Sequence, residues 1–288
     1  MVACAAGAVA PPPGVPAPTP ATAPAATVDV ADLVTADATG IGRFAGGHVA
    51  LLTAVEAMIA PPPPCWTRLA SQVRAAYQIE VGPGAAYHVF DGDLPQDEVE
   101  ACATALRGLE AYVGHDGPIA EFIVRGGRFY AAWRGPLVIV ASRRALVEAA
   151  LAVRSQTLAR TWRDRLAALR PGPMAMWRSD ALIANLVGVP TVAYQLVIDS
   201  VGAVPPRLTG VVVAQFAHPE AAALAAERLR AGAWGSTLAP PPEVVTALAR
   251  LVVAVRGAEL EARFDEHTFA GVELAVLSAW VARVSPGP

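Results

Sequence analysis

Residues 89–108 read VFDGDLPQDEVEACATALRG, and residues 215–232 read QFAHPEAAALAAERLRAG. Each passes from an apolar strand ending in Phe, through a turn containing proline, into a helical stretch that stops at glycine. Gly108 and Gly232 suit the left-handed position after a helix, and Pro219 suits its first turn. Working outward, Ala76-Tyr77-Gln78-Ile79 recurs as Ala193-Tyr194-Gln195-Leu196, and Ala132-Trp133-Arg134-Gly135 recurs as Ala254-Val255-Arg256-Gly257. Three matches in one order, at offsets of 117, about 126 and 122, predict an internal duplication. The expected layout is a flexible segment over 1–28, one unit over 29–156 and a second over 157–288. Each unit is ordinary domain size.

The coarse pattern places strands in adjacent pairs with helices between them. In the first unit a strand over Leu33–Ala36 leads to a helix over Arg43–Ile59, stopped by Pro61–Pro64. A short helix over Cys65–Arg74 follows, then strands Tyr77–Val81 and Ala86–Asp91, a helix over Gln96–Leu106, and strands Leu109–Val113, Ile119–Arg125, Arg128–Trp133 and Pro136–Ala141. Phe129, Ala131 and Trp133 share one face of their strand, the period of two that marks a half-buried strand. Ser142 is placed to cap the next helix. The second unit reads as a helix over Thr157–Leu169, strand Met174–Arg178, helix Ala181–Leu186, and strands Thr191–Ile198 and Leu208–Phe216. Helices over Pro219–Leu229 and Glu243–Arg250, strands Leu251–Arg256 and Glu259–Phe264, and a last helix over Glu266–Trp280 complete it. This is an α+β pattern of two tandem units, mainly antiparallel sheet with helices packed on one face.

The 288 residues are 54% hydrophobic and 16% charged, ample for a core and too apolar for a disordered chain. All 22 basic residues are arginine, so lysine Schiff bases, lysine nucleophiles and Walker A loops are excluded. A formal net charge of −3 gives no concentrated basic surface for a nucleic acid. The stretch 181–198, ALIANLVGVPTVAYQLVI, carries no charge, but Asn185, Gly188 and Pro190 predict a short helix, a turn and a strand rather than a membrane span.

The compartment is read from the N-terminus and the cysteines. No charged n-region or apolar h-region precedes Cys4, so a complete signal peptide is not present, as a truncated or misplaced start would leave it. From Ala5 to Thr27 the chain holds only Ala, Gly, Val, Pro and Thr. That composition favours extended polyproline II and cannot bury a core, as expected of a tether. Cys65 and Cys102 lack the spacing of a zinc site. Either they are buried inert thiols or they form one disulfide, and export favours the disulfide.

Gly40-Ile41-Gly42-Arg43-Phe44-Ala45 fits a dinucleotide fingerprint, yet the prolines at 61–64 interrupt the unit such a site needs. Asp91, Asp93, Asp97 and Glu98 lack the ligand number of a calcium loop and read as helix-start charges. Histidines 48, 88, 115, 218 and 267 form no ligand or catalytic pair by spacing. Arg125, Arg128, Arg134 and Arg256 lie at turns, where arginine is usually solvated or ion-paired. No catalytic residue, metal ligand or cofactor is assigned.

Met1-Val2-Ala3-Cys4 resembles the end of a bacterial lipobox, in which the cysteine after a small-residue cleavage site is acylated. It departs from that pattern in having Met1 where leucine is usual. With the Ala/Pro stretch behind it, the layout resembles the tethered lipoproteins of GC-rich bacterial genomes. The resemblance implies an extracytoplasmic location in the cell envelope, periplasm or outer membrane, anchoring through Cys4, and no established activity. Three functions are then expected in order: a non-enzymatic envelope binding or assembly module with a protein partner, a carrier of a lipid or other apolar ligand, and an enzyme of unrecognised type. Strands Val211–Val213 and Leu137–Val140 motivate the carrier, because duplicated sheets can enclose an apolar cavity.

Overall fold

The structure, a computed structural model, describes residues 28–46, 64–82, 85–104, 112–124, 127–179, 182–201, 208–233, 240–265 and 268. Residues 47–59 of the expected Arg43–Ile59 helix, the expected Glu266–Trp280 helix apart from Thr268, the tether 1–27 with Cys4, and Arg125, His48 and His267 lie outside these residues.

The chain enters through a 3-10 helix, Val30–Leu33, and the strand expected over Leu33–Ala36 does not form. Asp29 and Asp32 explain the difference: the Asp29 side chain accepts from the backbone of the first turn, and Asp32 reaches back to the Asp29 N–H. This reciprocal cap satisfies donors that a strand would have to pair elsewhere. Then come β1 (Gly40–Ala45), α1 (Pro64–Gln72), β2 (Val73–Glu80), β3 (Ala86–Gly92), α2 (Gln96–Thr104), β4 (Tyr112–Asp116), β5 (Ile119–Val124), β6 (Gly127–Arg134), β7 (Leu137–Ala141) and α3 (Arg144–Ala152). The second half runs α4 (Gln156–Ala167), β8 (Met174–Arg178), α5 (Leu182–Val187), β9 (Ala193–Val201), β10 (Leu208–Gln215), α6 (Pro219–Ala231), α7 (Pro242–Leu248), β11 (Val252–Arg256) and β12 (Glu259–Phe264). Ser142 is not a cap. The N-cap of α3 is Arg143, without a side-chain bond, whereas Ser155 caps α4 by accepting from the Leu158 N–H.

Among the described residues twelve strands join one sheet in the order β11-β12-β10-β9-β8-β1-β2-β3-β7-β6-β5-β4. The fold is α+β, with every strand pair in the sheet antiparallel. Read outward from the β8–β1 seam, the two halves repeat each other. β1-β2-β3-β7-β6 matches β8-β9-β10-β12-β11, with α1 and α5, and α2 and α6, at corresponding points. In the first half the β4–β5 hairpin stands between α2 and β6; in the second, α7 stands between α6 and β11.

The cross-strand register makes the correspondence residue by residue. Gly42 lies opposite Met176 at the seam. From Gly42 the partners run to Gln78, His88 and Val140. From Met176 they run to Leu196, Val212 and Ala262. Both paths end on hairpins that turn at Arg134-Gly135 and Arg256-Gly257, as the sequence match has them. The Ala-Tyr-Gln match is one residue out of step, because register equates Gln78 with Leu196. Tyr77 packs with the cluster around Ile79 and Val89, while Tyr194 packs under α6 on the opposite face. A one-residue slip always exchanges the faces of a strand.

Both faces are covered. Val147 and Ala150 of α3 pack on Leu137, Ile139 and Ala141. Ala103 of α2 packs on Ala120, Phe122, Ala131 and Val138, which alternate with them. Alanines 222, 225 and 226 of α6 press close against Tyr194, Ala214, Leu260 and Ala262, on the α2 side. The boundary expected at 156/157 falls at α4, whose Trp162 is 1% exposed within the first half's core. Trp162 meets Trp177 of β8 edge to face at 5.6 Å. The Arg165 guanidinium lies 4.4 and 4.1 Å from the two ring centres, a cation–π clasp between α4 and β8.

Cys65 on α1 and Cys102 on α2 are joined by a disulfide with Cα atoms 5.7 Å apart. The Gly40–Ala45 fingerprint forms β1, an antiparallel strand in the middle of the sheet, and opens no helix that could hold a pyrophosphate. Its glycines answer to packing: a Cβ on Gly40 would lie 3.1 Å from Arg178 Cγ and 3.2 Å from the Trp177 carbonyl. The 181–198 stretch divides into α5 and the start of β9. Among the described residues no helix is long and apolar enough to cross a membrane.

Candidate functional site

Where the chain enters the fold it builds a cleft of about 560 Å³. Val28, Asp29, Val30 and Asp32 form one wall, Arg74 and Tyr77 of β2 with Asp91 of β3 the floor, and Pro136 and Leu137 with Arg163 of α4 the rest. Local sequence fixes each contribution. The Asp29–Asp32 cap holds both carboxylates on one turn, and α4 brings Arg163 to them: Nε is 2.7 Å from Asp29 Oδ2 and Nη2 is 3.4 Å from Asp32 Oδ1. These contacts hold the Arg163 guanidinium above its ordinary range, first through the Asp29 hydrogen bond. Across the cleft Arg74 is paired with Asp91. Burial raises the Tyr77 phenol, and Asp91 and Asp29 raise it further against the opposing pull of Arg43.

A second cleft of about 370 Å³ adjoins the first at Arg74 and Pro136, and is lined by Asp93, Leu94, Pro95, Trp133 and Gly135 among others. Trp133 Nε1 donates to the Leu94 carbonyl at 2.9 Å, tying the β6–β7 hairpin to the loop before α2. The two clefts thus present carboxylates and guanidiniums together, each partly exposed and able to exchange its partner for a ligand of the same sign.

Of the acidic residues singled out in the sequence, Asp91 and Asp93 line these clefts. Asp97 and Glu98 stand in the first turn of α2, where Glu98 pairs with Arg68 at 2.9 Å. Among the described residues no group of three His, Cys, Asp or Glu is placed to hold a metal ion. His115 Nε2 lies 3.3 Å from Glu100, and His218 lies 4.0 Å from Glu220. Arg128 pairs with Glu121 on the neighbouring strand at 2.9 Å. Sequence reasoning missed the Arg163–Asp29 and Arg74–Asp91 pairs. Asp29 and Asp32 did carry a signal, a capping residue with an acid three positions on.

In the other half two partly exposed arginines close over a buried carboxylate. Register equates Ile139 and Ala141, beneath α3, with Glu261 and Arg263 on β12. Glu261 is 6% exposed and accepts from Arg263 at 2.6 Å and Arg170 at 3.0 Å. Those two arginines, Arg263 first, hold its carboxyl below the usual range. Gln195, beside it on the same face, accepts from the Arg170 N–H and donates to the Ala168 carbonyl.

No family model and no curated protein matches the chain. Among solved structures it is similar to TP0453. Crystal form III superposes with a TM-score of 0.54 at 12% identity, over 88% of this chain and 100% of that one. Crystal form I gives 0.53 at 11% identity, over 91% and 99%. At such identities the likeness is one of fold, an α+β architecture spanning nearly the whole of both chains.

Proposed function

We propose that this protein is a non-enzymatic binding or assembly module of the cell envelope, held by an N-terminal tether and engaging a charged partner through the cleft beside Val28. The observation that carries the reading is the position of that cleft. Its wall begins at Val28 and Asp29, directly after the Ala/Pro segment, so a partner bound there sits at the base of the tether. The lining supports a polar ligand over a lipid: three carboxylates and two guanidiniums face the space, and burying an apolar tail against them leaves charges unsolvated. The Cys65–Cys102 disulfide supports an oxidising compartment, because thiols in the cytosol are kept reduced.

Two measurements test this reading. Fractionation of the producing host should place the protein with membranes, and Cys4→Ala should release it. Co-isolation under native conditions should recover a partner that is lost on Arg74→Glu with Arg163→Glu. A protein that stays in the cytosol, or one whose partners ignore the charge reversals, would count against it.

A further inference from the structure

We infer that the Cys65–Cys102 disulfide is a redox latch: a dithiol that reduces it frees α1 from α2 and loosens one wall of the second cleft. The latch concerns the protein's own conformations, so it stands or falls apart from what the cleft beside Val28 binds.

α1 and α2 run side by side in opposite directions, tied at three levels. Cys65 is bonded to Cys102 at one end, Arg68 pairs with Glu98 at 2.9 Å midway, and at the other end the Gln72 carbonyl accepts from the Asp93 N–H at 3.4 Å. Only the first tie is strong. An exposed ion pair contributes little, and the Gln72 bond is long. α1 itself has nine residues, too few to hold a helix alone, and Leu69 is its one buried side chain. The Gln72 Oε1 is buried with no hydrogen-bond partner among the described residues, which favours opening further. An element held by so little besides a covalent bond opens locally once that bond is gone.

The end of α1 supports the loop that walls the second cleft. Gly92, Asp93, Leu94 and Pro95 line that cleft. The Gly92 N–H donates to the Pro136 carbonyl at 3.2 Å, the Asp93 N–H to Gln72, and the Leu94 carbonyl accepts from Trp133. A Cβ on Gly92 would lie 2.6 Å from the Gln72 carbonyl oxygen, so the helix end and the loop are in direct contact. With α1 lifted, the loop keeps only its ties to Pro136 and Trp133.

The reduction is a thiol–disulfide exchange. A thiolate of the dithiol attacks Cys65 Sγ, on the partly exposed side of the bridge. The S–S bond breaks with its electron pair on Cys102, which is 2% exposed and takes up a proton. The second thiol then attacks the mixed disulfide, releasing Cys65 as a thiol and leaving the dithiol as a disulfide. Two electrons and two protons pass to the protein.

The test compares hydrogen exchange of the full chain, oxidised and after dithiothreitol, by peptide mapping. Reduction should lower the protection of the Pro64–Gln72 amides at least about tenfold, while β8, β9 and β10 remain protected at the same labelling times. Reoxidation should restore α1. The Cys65→Ser/Cys102→Ser variant should exchange like the reduced parent, with or without dithiothreitol. Arg68→Glu, an exposed change, should speed α1 exchange about threefold in the reduced protein and leave the oxidised protein alone. The Arg74→Glu/Arg163→Glu variant should latch as the parent does, which separates the latch from binding in the first cleft. Equal protection of α1 in the two redox states would overturn the inference and make the bridge a static staple. So would an immediate loss of protection throughout the chain, or an Arg68→Glu effect of the same size in both states.

Discussion

Gly135 and Gly257 hold the same place in the two halves of the molecule. Each follows an arginine that ends a strand, and each sits at positive φ, 61° and 59°. A Cβ at either position would meet nothing within 4 Å, so only the backbone conformation demands glycine. Gly135→Ala and Gly257→Ala should each cost about 1–2 kcal/mol, the left-handed penalty of an L-residue. Asn at either position should recover part of the loss. Urea denaturation of the two single variants reads this directly, and a loss confined to one half would break the equivalence of the hairpins.

The disulfide ties α1 to α2 across 37 residues of sequence. On the loop-entropy account, the Cys65→Ser/Cys102→Ser double variant should lose ~4 kcal/mol relative to the oxidised protein. Denaturation with and without reductant should reproduce the same difference in the parent. An unchanged midpoint under reduction would show that the bridge adds nothing to the packing of the two helices.

Tyr87 is fully buried on β3, donating to the Leu33 carbonyl at 2.7 Å and accepting from the Thr35 N–H at 3.2 Å. Burial pushes its phenol up to about 12 from an ordinary 10.0. A raised folded-state value means a stabilising contribution that is whole below pH about 10 and is lost as the pH climbs toward about 12. Tyr87→Phe should cost about 1–3 kcal/mol at neutral pH, because two buried backbone groups lose their partner. It should also flatten the alkaline fall in stability. An ultraviolet titration in which every tyrosine ionises together near the ordinary value would refute the assignment.

Glu261 behaves in the opposite sense. Arg263 and Arg170 lower its carboxyl, so its contribution is present above the ordinary glutamate range and is lost as the pH falls through the depressed value. Glu261→Gln should destabilise the protein by about 1–2 kcal/mol at neutral pH, the scale of hydrogen bonds to a charged group. The gap to the parent should close in acid. A gap that stays constant from neutral to strongly acidic pH would mean that the carboxylate charge is irrelevant there.

Much of the strand and helix inventory was legible in local sequence. The alternation in Phe129–Trp133, the Gly135 and Gly257 turns, and Pro219 before an alanine-rich helix each describe an interaction completed within a few residues. Local reasoning failed where the partner is distant. Arg43-Phe44-Ala45 read as a helix start but belongs to β1, because β2 and β8 supply hydrogen bonds on both sides. The 3-10 helix at Val30 hid behind a capping pattern written in aspartates. The clefts were less legible still. Arg163 reaches Asp29 across 134 residues, a distance that no short-range spacing rule spans.

Local sequence was enough for an α+β pattern that recurs along the chain. Periodicity, turn residues and composition are local properties that survive without coordinates. The tertiary structure alone decided how the copies are joined. Antiparallel pairing of Gly42 with Met176 merges them into one sheet, and register placed Tyr77 and Tyr194 on opposite faces despite identical neighbours. Register also put Glu261 where the other half has Ile139. Cross-strand pairing sets which face a residue joins, and that pairing is a long-range choice made when the whole sheet assembles.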